Sequence, residues 1–120
     1  MPEAFAPSAR LRSRAEFTAV QQRGRRVAMR HLVLLGSPNT LGHDRLGIIA
    51  SRRLGGAVVR NRAKRRLREV FRRRPVFSAP LARPLDLVAI PRRETATAPF
   101  TNVESDFLTA LGRLRGGRSA

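Results

Sequence analysis

The sequence has no cysteine, a single lysine and only 8 acidic residues among its 120. The absence of cysteine excludes a disulfide scaffold, a thiolate metal site and a cysteine nucleophile. No apolar run approaches the roughly 18–20 residues that would cross a membrane. The first five residues also lack the basic start and apolar stretch of a secretory signal, so we expect a cytoplasmic protein that has no membrane partner.

The shortage of acidic residues leaves a large positive charge. Lysine and arginine together number 25, which gives a formal net charge of +17 at pH 7. Nearly all of this charge is arginine, whose planar guanidinium holds phosphate through two parallel hydrogen bonds. A small domain this basic repels itself, and a polyanion relieves the repulsion. We therefore expect nucleic acid as the partner; an anionic membrane surface and a solvated basic face without a specific partner are the weaker alternatives.

The chain has the length of one domain, and its hydrophobic content of 42% is enough for a modest core. Periodicity and capping signals predict one sheet packed with helices, in the α+β class. The predicted domain covers residues 11–115, with a flexible lead-in at 1–10 and a flexible tail at 116–120. The first two strands are expected to pair antiparallel across the turn between them. The predicted elements are helices at 13–24, 57–74 and 101–116, and strands at 27–36, 45–51 and 85–90.

The segment at 57–74 predicts an amphipathic helix with a basic polar side. Nine of the fifteen residues from 60 to 74 are basic and one is acidic. Like charges three or four positions apart on a helix repel each other, and a phosphate backbone can supply the missing negative charge. Ser51, Arg52 and Arg53 extend the same cationic edge. The predicted apolar face comprises Val59, Ala63, Leu67, Val70 and Phe71, and the opposite side carries Asn61, Arg62, Arg65, Arg68 and Arg72.

The stretch from Gly47 to Phe71 resembles the signature region of the bacterial ribonuclease P protein component. The hallmark of that family is an Arg-Asn-Arg helix preceded by a Gly-x-Ala-Val segment, and Arg60-Asn61-Arg62 fits the hallmark. Further similarity extends over roughly residues 10–115. The resemblance implies the order α-β-β-β-α-β-α on a single mixed sheet, as in the second domain of ribosomal protein S5. It also implies one more short strand, within residues 26–38.

The resemblance further implies a function. Members of this family are the protein subunit of an endoribonuclease that removes the 5′ leader from precursor tRNA, and its RNA holds the Mg²⁺ ions and the catalytic centre. The implied partners are the catalytic RNA and precursor tRNA, with no obligate protein partner. Gln21 and Leu35 stand where relatives often have aromatic residues, so arginine and apolar contacts are expected to contribute more to leader binding. The residues implied to bind the catalytic RNA are Arg52, Arg53, Arg60, Asn61, Arg62, Lys64, Arg65 and Arg68, and those implied to line the leader cleft are Phe17, Leu35 and Ser51.

The sequence shows no catalytic set belonging to the polypeptide. Its eight carboxylates form no convincing metal-ligand cluster, and Asp44 beside His43 is interpreted as a turn residue. His31 is interpreted as an ordinary strand histidine. The alternative function is that of a general RNA chaperone or a ribosomal-type RNA-binding protein without a dedicated cleft. A DNA-binding module fits less well, because the basic helix follows a strand and Gly55-Gly56 instead of a helix and a short turn.

Overall fold

A four-stranded mixed sheet carries helices on both of its faces. The computed structural model describes residues 9–75 and 83–116, so most of the predicted lead-in and tail lies outside the described residues. Within these ranges, no helix is long and apolar enough to span a bilayer. The elements are α1 (Arg14–Arg23), β1 (Arg25–Ala28), β2 (Leu32–Pro38), β3 (Arg45–Ile48), a 3₁₀ turn (Arg52–Leu54), α2 (Ala57–Arg73), β4 (Leu85–Pro91), α3 (Arg93–Thr97) and α4 (Phe100–Gly116).

The strand order across the sheet is β1-β2-β4-β3. β4 pairs antiparallel with β2 and parallel with β3, and Val88 lies between Leu35 on one side and Gly47 on the other. The expected antiparallel pairing of the strands at 27–36 and 45–51 is therefore wrong. β4 separates them because its side chains are buried on both faces of the sheet, which favours a central position. β3 then joins β4 through α2, since parallel neighbours need a long crossover.

The predicted strand at 27–36 is in fact two strands. β1 and β2 form an antiparallel hairpin in which Val27 lies opposite Leu34, and the Met29 N–H donates to the carbonyl of Leu32 (2.8 Å) at the turn. Hydropathy alone did not show this break, because apolar residues lie on both sides of it. The additional strand within 26–38 is confirmed, and so is the order α-β-β-β-α-β-α, to which the structure adds the short helix α3.

Capping signals placed the first helix correctly. The Glu16 N–H donates to Ser13 Oγ (3.2 Å), and the Ser13 N–H donates to Glu16 Oε1 (3.0 Å), which is the predicted capping box. Gly24 ends this helix as expected. The last helix begins at Phe100, one residue before the predicted start, and its buried stripe consists of Val103, Phe107, Ala110, Leu111 and Leu114.

The two faces of the sheet have separate apolar cores. Alternate residues of a strand point to opposite faces, so neighbouring positions of β2 contribute to different cores. Leu34 packs in the larger core, beneath α2 and α4, with Leu67 and Phe107. Val33 and Leu35 pack on the other face, beneath α1. The smaller core consists of Leu11, Val20, Val33, Leu35 and Val88, with Phe17, Ile49 and Ile90 packed against it.

Asp44 connects the ends of three elements and is only 7% exposed. Its carboxylate accepts hydrogen bonds from Arg74 Nε (3.1 Å), Arg115 Nη2 (2.9 Å) and the Leu85 N–H (2.9 Å). Burial acts to raise the pKa of Asp44, but the hydrogen bonds from Arg115 and Leu85 outweigh it, so that the pKa lies below its usual range. The predicted turn residue is therefore a structural anchor for the ends of α2 and α4 and the start of β4.

Asp44→Asn is expected to lower the free energy of unfolding at pH 7 by about 3 kcal/mol, because it leaves two partly buried guanidinium groups without their counter-charge. The folded pKa is lowered, so this stabilisation is present above pH ~4 and is lost as pH falls through the folded pKa. Urea denaturation from pH 7 to pH 3 measures the difference, which should shrink below pH ~4. Glu94→Gln, at an exposed position, is the control and should change stability by under about 0.5 kcal/mol. Equal losses in both variants would contradict the anchoring role.

Candidate nucleic-acid interface

The amphipathic character predicted for α2 is confirmed by its burial. Leu67, Val70 and Phe71 are buried against the sheet and α4, and Ala63 is buried against Leu54 and Ala96, with Val59 half-buried beside it. The opposite side of the helix is exposed. Its exposed residues include Asn61, Arg62, Arg65, Arg68 and Arg72, all of which were assigned to the polar side.

Ion pairs divide α2 into two parts. At its C-terminal end, Arg72 pairs with Glu69 (2.6 Å), Arg73 with Glu104 (3.6 Å) and Arg74 with Asp44 (3.1 Å). Nearer the N-terminus, no basic side chain forms an ion pair with any described residue. We define the cationic surface as Arg52, Arg53, Arg60, Arg62, Lys64, Arg65 and Arg68, of which Arg52 and Arg53 lie on the 3₁₀ turn that leads into α2.

Arg66 lies within the same run but has a structural role. Its Nη1 donates to the carbonyl oxygens of Ala98 (2.5 Å) and Thr95 (3.3 Å), which ties α2 to α3. Arg60 differs again, because its Nε is buried and has no hydrogen-bond partner in the described part of the chain. The run of basic residues therefore contains both internal anchors and side chains available to an external partner.

The backbone of α2 adds positive potential to the cationic surface. The helix starts after Gly56, which provides no side-chain cap for the first N–H groups. A helix N-terminus carries about half a unit of positive charge, which here lies next to Arg52 and Arg53. Cations at this end are electrostatically unfavourable in the isolated protein, and a bound anion would reverse that cost.

Phe17 lies at a cavity of about 190 Å³ between α1, the edge strand β3 and α2. The cavity brings Phe17 together with Lys64 and Arg68, which belong to the cationic surface. Of the other two residues implied for a leader cleft, Ser51 is exposed just before the 3₁₀ turn, and Leu35 is 6% exposed in the smaller core, away from the cavity lining. The cavity is lined by Arg10, Leu11, Phe17, Leu46, Gly47, Ile48, Lys64 and Arg68.

Gly47 allows the Phe17 ring to approach the sheet. A Cβ atom at this position would overlap Cε1 and Cζ of Phe17 and would lie 3.1 Å from the Cβ of Leu11. Sequence reasoning did not assign a role to Gly47, although a glycine inside a strand often marks such a close approach. Arg10 was also missed: it precedes Leu11, whose N–H donates to the carbonyl of Leu46 (3.1 Å) and extends the edge of β3.

Arg45 holds α1 against the sheet. Its guanidinium donates to Glu16 Oε2 (3.0 Å) and forms a two-pronged contact with Asp86, at 2.9 Å and 2.7 Å. Hydrogen bonds from the backbone N–H groups of Arg12 and Ser13 lower the pKa of Glu16, which keeps this carboxylate charged. Because Phe17 follows Glu16 directly, the contact also fixes the position of the ring. No local sequence signal identifies Arg45, since its partners lie 29 and 41 residues away.

His31 and most of the described carboxylates are engaged in structural contacts. His31 Nδ1 lies 2.6 Å from Asp106 Oδ2, and the Thr95 hydroxyl donates to the His31 carbonyl, so that the β1–β2 turn is tied to α3 and α4. Across residues 9–75 and 83–116, no group of three or more His, Asp or Glu side chains could hold a metal ion. The described residues thus offer cations that could bind an anion.

Comparison with known proteins gives a consistent result. The family model described as Ribonuclease P matches residues 5–115. The chain belongs to the ribonuclease P protein family. The ribonuclease P protein component of Thermotoga maritima is 34% identical over 97% of this chain and 100% of its own length. That of Chloroflexus aurantiacus is 41% identical over 87% and 75%, respectively.

Solved structures of ribonuclease P proteins share this fold. The Thermotoga maritima protein superposes with a TM-score of 0.72 at 32% identity, covering 87% of this chain and 96% of that one. The Staphylococcus aureus protein gives a TM-score of 0.72 at 26% identity, covering 89% and 97%. The family indicated by residues 47–71 is thereby confirmed. The chain is a protein subunit of ribonuclease P, the ribonucleoprotein that removes the 5′ leader from precursor tRNA, and the comparisons support this function over that of a general RNA chaperone.

Gly47→Ala is expected to destabilise the fold by about 1–3 kcal/mol, because the added methyl group overlaps the Phe17 ring. In a Phe17→Ala background the same substitution should cost much less, since the ring is gone and only the Cβ of Leu11, at 3.1 Å, stays close to the added methyl group. Thermal or urea unfolding of the four proteins in this double-mutant cycle measures the coupling.

Gly112→Ala is the matched control, because a Cβ atom there meets no other atom and alanine favours the helix. It should stabilise the protein by roughly 0.5–1 kcal/mol in either background. A cost of Gly47→Ala that is the same with and without Phe17 would show that the ring does not lie on this glycine.

Proposed function

We propose that the cationic surface binds the catalytic RNA of ribonuclease P and that the cavity beside Phe17 binds the single-stranded 5′ leader of precursor tRNA. The observation that carries the proposal is the division of charge along α2. Carboxylates neutralise Arg72, Arg73 and Arg74, whereas the cations nearer the N-terminus have no such partner among the described residues. RNA phosphates can supply the missing counter-charges.

Each residue of the cationic surface has a role that follows from its position. Arg52, Arg53, Arg62 and Arg65 are exposed and can reach phosphate oxygens without rearrangement of the core. Asn61 lies among them as a neutral donor and acceptor, suited to a ribose or a base edge. Arg60 is half-buried, and an RNA phosphate near its guanidinium would supply a counter-charge that it lacks among the described residues.

The leader site adjoins the RNA-binding surface. Lys64 and Arg68 line the cavity and also belong to the cationic surface, so a leader beside Phe17 would lie next to the bound catalytic RNA. The Phe17 ring offers a stacking partner for a base, and the two cations offer contacts to the leader backbone. Ser51 is exposed where the 3₁₀ turn begins and can donate a hydrogen bond to the leader. Leu35 contributes indirectly, because it supports α1 from within the smaller core.

The proposal assigns Mg²⁺ and the hydrolytic step to the RNA. The described carboxylates do not fit a magnesium site, since they form no cluster of three and all but Glu94 contact a basic side chain. The protein contributes by reducing repulsion between two RNAs and by binding a part of the substrate that the product lacks. We assign this activity to the cytoplasm, with the catalytic RNA and precursor tRNA as partners and with no obligate protein partner.

The assembled ribonucleoprotein is expected to bind precursor tRNA more tightly than mature tRNA, and the protein alone should not make this distinction. Phe17→Ala should reduce the preference by roughly 5- to 150-fold, the range expected for loss of one stacked base. Equilibrium titration of the reconstituted complex with both tRNAs, in Ca²⁺ to suppress cleavage, measures the ratio. Phe100→Ala, which removes the same ring from a half-buried site outside the cavity, is the control. Equal affinity for precursor and mature tRNA would argue for an RNA chaperone without a leader cleft.

Arg62→Ala and Arg65→Ala are each expected to weaken assembly with the catalytic RNA. Each substitution should reduce the slope of log affinity against log salt by about 0.7–0.9, because one phosphate contact is lost. Circular dichroism should be unchanged, since both side chains lie opposite the apolar face. Arg72→Ala is a matched control on the same helix, and its slope should change much less because Glu69 already neutralises Arg72. A slope change for Arg72→Ala as large as the others would refute the division of charge as the basis of RNA binding.

A further inference from the structure

A second and larger cavity is lined by four arginines. It has a volume of about 430 Å³ and lies where the C-terminal ends of α1 and α4 meet the sheet. The proposed leader and RNA sites use none of its residues. The cavity is lined by Arg23, Arg25, Gly36, Pro38, Arg83, Leu85, Leu114, Arg115 and Gly116.

This cavity lies at the opposite end of the sheet from the start of α2. Its sheet residues come from the beginning of β4 and the end of β2, where Leu85 pairs with Pro38. The 3₁₀ turn with Arg52 and Arg53 instead follows the end of β3, which runs parallel to β4. The seven residues of β4 span about 20 Å between the two ends, more than two Debye lengths at physiological ionic strength. The charges of the two cationic regions are therefore largely screened from each other.

The charge of the cavity is only partly compensated. Arg115 pairs with Asp44 (2.9 Å), which also serves Arg74, and Arg25 Nη1 donates to the carbonyl of Arg113 (3.3 Å). The side chains of Arg23 and Arg83 are exposed and have no partner among the described residues. The C-terminal ends of α1 and α4 together contribute about one unit of negative charge. The four arginines carry four positive charges, and the carboxylate and the two helix ends offset about two of them. About two positive charges therefore remain for a ligand.

One wall of the cavity is apolar, which distinguishes it from a simple basic patch. Gly36 is buried, and a Cβ atom there would lie 3.0 Å from Leu114 Cδ1 and 3.2 Å from Leu87 Cδ2. Leu114 and Leu85 line the cavity beside the arginines, where they expose only 6% and 3% of their surface. An inorganic anion gains nothing from such a wall. A nucleotide can use both features, since its base covers apolar surface while arginine holds its phosphate.

We propose that this cavity is a second RNA-binding site, which takes one nucleotide of an RNA strand with its phosphate on Arg23 and Arg83 and its base against Leu85 and Leu114. The inference extends the proposed function, because it rests on the same ribonucleoprotein supplying the RNA. Either the catalytic RNA or precursor tRNA presents this chemistry. Because the second site faces away from the start of α2, it would give the protein two separated contacts with its RNA partners.

The double variant Arg23→Ala/Arg83→Ala tests the site in the reconstituted ribonucleoprotein. It should weaken binding of the occupying RNA about tenfold or more at constant salt and lower the salt slope by about 0.7–0.9, because the two arginines hold one phosphate. The control is Arg14→Ala/Arg93→Ala, which removes the same charge from exposed positions outside both cavities. Lower affinity of the protein for the catalytic RNA identifies that RNA as the occupant, and lower affinity of the assembled complex for precursor tRNA identifies the substrate. Equal changes in the two double variants would overturn the proposal.

A direct measurement on the isolated full-length protein uses adenosine 5′-monophosphate and inorganic phosphate as probes. The nucleotide should produce saturable amide NMR shifts at Gly36 and Leu114 at lower concentration than phosphate does, and Arg23→Ala/Arg83→Ala should abolish them. Identical responses to both probes would refute the role of the apolar wall. If this double variant behaves like its control while Arg62→Ala and Arg65→Ala still impair assembly, the second site fails and the proposed function stands. If Arg62→Ala and Arg65→Ala also leave assembly with the catalytic RNA unchanged, the proposed function itself is refuted.

Discussion

The small number of carboxylates determines which cations of this protein are neutralised within the fold. Six of the seven within the described residues contact a basic side chain. These contacts hold α1 to the sheet, the β1–β2 turn to α4, and the ends of α2 and α4 to the start of β4. No acidic residue occurs between Asp44 and Glu69, the segment that contains the cationic surface. Nearly all of the described carboxylates are therefore paired within the fold. The cationic surface has no carboxylate partner among these residues, so only an external anion can neutralise it.

The stability of α2 depends on its packing, because its charge opposes helix formation. Each like-charged pair at helical spacing costs a few tenths of a kcal/mol. Burial of Leu67, Val70 and Phe71 contributes roughly 1.5–3 kcal/mol for each side chain, so the apolar face outweighs the repulsion. The helix can thus be folded and strongly cationic together only because the sheet and α4 cover one side of it. An RNA that relieves the remaining repulsion would stabilise the fold as well as the complex.

Sequence reasoning succeeded where the signal is local and failed where contacts are distant. The capping box at Ser13 and the apolar stripe of α2 identified two helices, because both patterns repeat within a few residues. The predicted pairing of β3 was wrong, since its partner β4 lies about 40 residues later in the chain. The cavity beside Phe17 joins α1, β3 and α2, so no single segment of sequence describes it. Its most specific local sign, a glycine within β3, becomes informative only once the Phe17 ring is known to lie above it.

Lys64 and Arg68 belong to both proposed RNA sites, so binding at one site would change the binding free energy at the other. They lie one turn apart on α2, line the cavity beside Phe17 and belong to the cationic surface. Phosphates of the catalytic RNA would lower the mutual repulsion of these cations and would order their side chains. A leader that binds afterwards would then contact cations whose positions are already fixed. Part of their positive charge, however, would already be neutralised by the catalytic RNA. Ordering favours leader binding and neutralisation opposes it, so the coupling between the two RNAs depends on which effect is larger. Phe17 is uncharged, and stacking on its ring would let the cavity retain the leader even where neutralisation is extensive.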